Sequence, residues 1–147
     1  KLEAGKIVDA PVLSLDLFPT FIEAAGGAIS EKDDLDGVDL MPYLTGETVK
    51  KPHEKMNWRF TISAAIRDGD WKLVRLPDRL PMLFNLADDI SEQKDVSMEN
   101  LDRTKDMLKK LGQWDVRLPH VIFVEGAVWR KRQLDLYDDK YPLVQPE

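Results

Sequence analysis

Ala64-Ala65-Ile66-Arg67-Asp68-Gly69-Asp70-Trp71-Lys72-Leu73-Val74-Arg75-Leu76 carries the clearest strand-turn-strand pattern in the chain. Apolar and polar residues alternate roughly on both sides of Asp68-Gly69, with Ile66 before it and Trp71, Leu73 and Leu76 after it. This pattern predicts two strands joined by a two-residue type I′ turn, with Asp68 and Gly69 as its central pair, both at positive φ. Just upstream, Met56 to Ile66 carries Trp58, Phe60, Ile62 and Ala64 at alternate positions. That is a further strand, which either pairs with Trp71 to Leu76 directly or bends at Ser63. Pro77-Asp78 marks a turn, and Met82 to Leu86 is another short strand whose apolar run ends at Asn85. An antiparallel sheet of three to four strands linked by hairpins follows.

Such a sheet needs cover on one face. Ser97 reads as a helix N-cap. Behind it Leu101, Thr104, Leu108, Leu111 and Trp114 fall on one stripe, widened by Met107 and Leu118, and Pro119 ends the helix. Gly112 is its weak point, and Asp106–Lys110 is a favourable pair at i,i+4. The expected fold class is α+β: a small antiparallel sheet packed against one long helix, preceded by helical segments.

Those earlier segments are legible too. Val12 to Ser14 reads as a short strand edged by Pro11. Asp16 reads as an N-cap, Pro19 falls in the first turn, and Gly26-Gly27 ends a helix over Asp16 to Ala25. Ser30 to Asp36 is a solvated acidic loop. Leu40 to Leu44 is a single helical turn stopped by Gly46, packing through Leu40, Met41, Tyr43 and Leu44. Beyond Pro119 the pattern is weaker. Val121 to Val124 reads as an edge strand or a wrapping arm, and Arg130-Lys131-Arg132 as a solvated helix or loop. Trp129, Leu134, Leu136 and Tyr137 pack the tail onto the body.

Composition narrows the function. The 147 residues suffice for one domain with a core, 43% are hydrophobic, and no apolar run approaches a bilayer span. A net charge of −6 argues against nucleic-acid and anionic-membrane partners. With no cysteine, disulfides, thiolate nucleophiles and Cys-ligated zinc are excluded. The two histidines, His53 and His120, are too far apart in sequence for a helical zinc pair. No phosphate-binding glycine loop or nucleophile-elbow motif occurs. The acidic residues from Glu31 to Asp39 do not meet the spacing of a calcium loop, although Asp34-Leu35-Asp36-Gly37 comes near it. Lys1 opens the chain in place of Met, as in a mature chain, a trimmed one or a fragment.

Three stretches, in order, resemble the C-terminal part of the sulfatase family, within the alkaline phosphatase superfamily. They are Asp16-Leu17-Phe18-Pro19-Thr20 ending at Ala25-Gly26; Asp36-Gly37-Val38-Asp39-Leu40-Met41-Pro42-Tyr43-Leu44-Thr45-Gly46; and Ala65-Ile66-Arg67-Asp68-Gly69-Asp70-Trp71-Lys72-Leu73-Val74 with Leu83-Phe84-Asn85-Leu86 behind it. The resemblance implies that residues 1–50 are the tail of a large catalytic domain. Residues 51–118 would then be a C-terminal subdomain, and 119–147 an extended arm. It implies a parent that hydrolyses sulfate esters with calcium and a formylglycine, neither supplied by this chain. Ser63-Ala64-Ala65-Ile66-Arg67 lacks the proline of the formylglycine motif, and the family's calcium ligands lie upstream. No residue here is expected to be catalytic, and the chain alone is expected to be inactive.

What the resemblance leaves to this chain is a substrate rim around His53, Asn57, Trp58 and Arg59. His53 and Arg59 are the candidate substrate-binding residues; Arg59 has a planar fork suited to a sulfate or carboxylate. From the residues alone, His53 reads first as a loop residue, and Arg59 as a solvated or ion-paired strand residue. The expected partners are the missing N-terminal catalytic domain and a sulfated carbohydrate or aryl sulfate, with a dimer through surface bared by truncation. Phe18, Phe21, Leu40 and Tyr43 should then be exposed or lie in such a contact. The compartment would be periplasmic or extracellular for a bacterial parent. Two alternatives stand beside this: a non-catalytic carbohydrate- or protein-binding module presenting Trp58, Trp71 or Trp129, and the same piece of a phosphodiesterase or phosphonate monoester hydrolase.

Overall fold

The apolar run from Met56 to Ile66 is two strands. In the computed structural model, which describes residues 2–123 and 126–141, β1 (Lys55–Phe60) turns back through Thr61-Ile62 into β2 (Ser63–Asp68), with Phe60 opposite Ser63. Thr61 is held at φ 53°, in a left-handed conformation that β-branched residues rarely adopt. The bend expected at Ser63 therefore falls just before it. β3 (Trp71–Arg75) follows, with Asp68 opposite Trp71. The turn thus has Gly69 and Asp70 at its centre, which corrects the expected Asp68-Gly69 pair. Gly69 is at φ 64° and Asp70 is outside the left-handed region. That is the II′ pattern, with glycine at the first central position, and not type I′. β4 (Met82–Asn85) completes an antiparallel sheet in the order β1-β2-β3-β4.

Each face of the sheet carries an apolar cluster, covered by different means. On one, α3 (Leu101–Asp115) sets Met107 and Leu111 against Ala64, Ile66, Leu73 and Leu83, with Trp71, Val96, Leu108 and Trp114 at the margin. Each fully buried aliphatic or aromatic side chain contributes roughly 1.5–3 kcal/mol. The helix starts later than Ser97. The Ser97 hydroxyl bonds the Asp95 carboxylate at 3.0 Å and its carbonyl accepts from the Thr104 hydroxyl at 3.0 Å, so a separate turn precedes Leu101. Leu101, expected on the buried stripe, is exposed.

On the other face Val74, Leu76, Met82, Phe84 and Leu86 form a second cluster beneath Leu134, Tyr137 and Tyr141. Leu134 and Tyr137 belong to α4 (Ala127–Lys140), a helix where an extended arm was expected, and Tyr141 directly follows it. Arg79 fastens α4 by a two-pronged bond to Asp138, at 2.8 and 2.6 Å. Trp129 and Leu136, expected to pack, are exposed. Residues 121–123 form no strand, and Val124 lies outside the described residues.

Contacts divide the chain into two units, 1–54 and 55–147. In the first, a single 3-10 turn (Ser14–Asp16) leads into α1 (Leu17–Ala24), which Gly26 ends at φ 79°. No strand forms over Val12 to Ser14. The acidic loop holds one more 3-10 turn, Glu31–Asp33. α2 (Met41–Thr45) is stopped by Gly46 at φ 83°. Phe18 and Phe21 are exposed and Tyr43 is half-buried, whereas Leu40 is buried. No helix among the described residues is long and apolar enough to cross a membrane.

Candidate functional site

Asp16 is the hub of the first unit. Its side chain is fully buried. One carboxylate oxygen accepts from the Leu13 N–H at 2.7 Å, the other from the Val38 N–H at 3.0 Å, and His53 Nε2 lies 2.8 and 2.9 Å from the two. Burial on its own would raise the Asp16 pKa. The bonds from Leu13, Val38 and His53 outweigh it and hold the group below the ordinary carboxylate value. Asp16 is therefore not the side-chain N-cap that its position suggests, since it makes no cap bond to α1.

The same joint explains the first two sequence motifs. The Thr20 hydroxyl donates to the Asp16 carbonyl at 2.6 Å and accepts from the Leu40 N–H at 2.9 Å. A Cβ on Gly37 would fall 2.2 Å from the Leu15 carbonyl oxygen, so only glycine lets the second motif lie on the first. The two stretches thus form one clasp, closed by His53, whose side chain is only 10% exposed.

Arg59 stands in the second unit. Its register partner is Ala64, which places it on the face covered by α3. There it donates to Asp115 at 3.1 Å and to the Pro119 carbonyl at 2.8 Å, while Arg75 meets the other Asp115 oxygen at 2.7 Å. Burial pushes the Asp115 pKa up, and the two guanidinium groups more than offset it, leaving the carboxylate below its ordinary value. Asn57, opposite Ile66, shares this face, and its side-chain oxygen is buried without a hydrogen-bond partner among the described residues. Trp58, opposite Ala65, lies on the other face and is 40% exposed. Alternation along β1 therefore separates Trp58 from Asn57 and Arg59. Trp71 lies under the Arg103 guanidinium, 4.4 Å from the ring centre.

The calcium and formylglycine implied by the resemblance find no fit in these residues. Among the described residues no three His, Asp or Glu side chains converge as a metal site. Ser63 lies on β2, directly opposite Phe60 in the ladder. Two of the acidic residues of 31–39 serve the backbone instead: Asp33 accepts from the Ser30 N–H at 2.8 Å and Asp39 from the Met41 N–H at 2.9 Å.

Comparison with known proteins agrees with the class that the motifs indicate: the chain resembles the C-terminal region of sulfatases in sequence and in structure. No family model matches it. It is 40% identical to a steryl-sulfatase of Homo sapiens over 53 residues, which cover 36% of this chain and 9% of that protein. With an arylsulfatase K of Danio rerio it shares 27% identity over 122 residues, 75% of this chain and 23% of the other. Among solved structures, Ps i-CgsB superposes with a TM-score of 0.67 at 29% identity, over 95% of this chain and 31% of that one. The same protein has been crystallised in complex with k-i-k-neocarrahexaose. A phosphonate monoester hydrolase of Agrobacterium radiobacter shares the fold, with a TM-score of 0.59 at 23% identity, over 78% of this chain and 27% of that one. The chain thus spans from about a tenth to about a third of the length of these proteins.

Proposed function

We propose that this chain is the C-terminal lobe of a sulfate ester hydrolase, completing the fold and lining one wall of the cleft without supplying nucleophile or metal ligands. The observation that carries the reading is the joint between the two upstream motifs. Asp16, Thr20 and Gly37 are among the residues shared with the sulfatase pattern, and each has a specific task in that clasp. The sheet that follows carries the third motif. The substrate class is a sulfated carbohydrate or an aryl sulfate, in keeping with the arylsulfatase among its relatives and the saccharide bound to a structural neighbour. A phosphonate ester is the weaker reading, since that likeness is one of fold and the sequence relatives named here are sulfatases.

In this reading His53 and Arg59 stand at the substrate rim with much of their bonding capacity already committed. His53 has Nδ1 to offer, and Arg59 the N–H groups not directed at Asp115 and Pro119. The parent works with calcium and formylglycine supplied by its catalytic domain. Assaying the 147-residue chain alone with para-nitrophenyl sulfate tests the division of labour. No turnover above background is expected; turnover abolished by a substitution within this chain contradicts it.

A further inference from the structure

The second face of the sheet is only partly covered. Leu134, Tyr137 and Tyr141 pack over residues of β3, β4 and the segments that follow them. Towards β1 and β2 lies a groove of about 460 Å³, lined by Trp58, Ala65, Arg67, Lys72, Ile90 and Glu92 among others. Trp58 and Ala65 are register partners, so a flat, part-exposed indole stands beside the smallest side chain of the strand. Arg67 and Lys72 are register partners as well, which sets two cations opposite each other on one face. Like charges so placed destabilise a sheet. Glu92 meets Lys72 at 2.6 Å and balances that charge. Arg67 commits its Nε to the Gly69 carbonyl at 2.9 Å, and no carboxylate lies within ion-pair distance of it among the described residues. Its terminal amines are left to meet an anion from outside.

We propose that this groove is a saccharide subsite that takes one anionic sugar ring, stacked on Trp58 above Ala65, with its sulfate or carboxylate on Arg67. The indole supplies an apolar plane that a sugar's C–H face can cover. The guanidinium fork takes two oxygens of a planar or tetrahedral anion. Nucleic acid is disfavoured by the net charge of −6, since binding its phosphate backbone needs an extended basic face. The proposal goes beyond the reading above, since it concerns binding by this chain's own surface and not turnover; either can fail without the other.

The test is an NMR titration of the 147-residue chain with four probes: a sulfated hexasaccharide, a uronic-acid hexasaccharide, a neutral hexasaccharide and inorganic sulfate. At least one charged hexasaccharide should bind saturably and shift the Trp58 indole N–H and the amides of β2 and β3. The neutral sugar and inorganic sulfate should bind at least tenfold more weakly. The tighter of the two charged sugars identifies the anion as ester or acid. Trp58→Ala and Arg67→Gln should each weaken binding at least tenfold, whereas Lys109→Gln, an exposed cation on α3, should leave it unchanged. Absence of binding by both charged sugars overturns the proposal, as does equal binding of the neutral sugar or of sulfate alone. Shifts confined to other parts of the chain also overturn it, and they need no variant to be seen.

Discussion

Replacing Asp16 by Ala removes at once the acceptors for the Leu13 N–H, the Val38 N–H and His53 Nε2. A buried donor left without a partner costs about 1–3 kcal/mol, so Asp16→Ala should lower the unfolding free energy by about 3 kcal/mol, read from urea titration. Acid should act on the same joint. The folded Asp16 pKa is depressed, because the bonds from Leu13, Val38 and His53 outweigh the opposing effect of burial. Its stabilisation is therefore complete above the unfolded carboxylate pKa and is lost as pH falls through the lower, folded value. Protection of the Val38 amide, corrected for intrinsic exchange, should fall on acidification below about pH 4. In Asp16→Asn that acid-dependent loss should largely disappear. The sequence marks Asp16 as important but misplaces its task. A residue just before a helix invites a capping role, whereas its partners Val38 and His53 lie 22 and 37 positions away, where no local pattern reaches.

At the scale of elements, α3 offers a contrast between neighbours. Leu111 is fully buried in the first cluster, and Leu111→Ala should cost about 2–5 kcal/mol. Gly112 is inside the same helix, and a Cβ there meets nothing within 4 Å. Gly112→Ala should therefore stabilise the chain by about 0.5–1 kcal/mol, seen as a raised thermal midpoint. The helix and sheet were legible because both rest on strong periodicities: the stripe through Thr104, Leu108 and Leu111, and the alternation through Leu73. The turns were less so. Asp-Gly points to one register, and the ladder chose the register centred one residue later, which sets Ile66 opposite Leu73 where the other would set it opposite Trp71. α4 was legible only in part: Arg130-Lys131-Arg132 read as a helix or a loop, within a tail expected to be extended. Leu134, Tyr137 and Tyr141 recur at helical spacing, but their stripe is narrow and the basic and acidic residues around it mask it.

For the whole molecule, the α+β class and the likeness to sulfatases were both readable, since motif order constrains a chain more tightly than any single motif. The rim was not. His53 and Arg59 each answer first to a carboxylate of their own unit, Asp16 and Asp115, and only coordinates reveal that. Phe18 and Phe21 remain exposed on α1, as expected of a lobe that leans on a catalytic domain, while Leu40 is buried against this expectation. The proposed role is tested most directly by sulfate ester turnover in a chimera. The stretch of arylsulfatase K from Danio rerio that matches this chain over 122 residues is replaced by its counterpart here. The chimera should hydrolyse para-nitrophenyl sulfate, and Asp16→Ala within it should reduce that activity together with its stability. A chimera that folds, as judged by a cooperative thermal transition, and yet releases no sulfate would contradict the assignment.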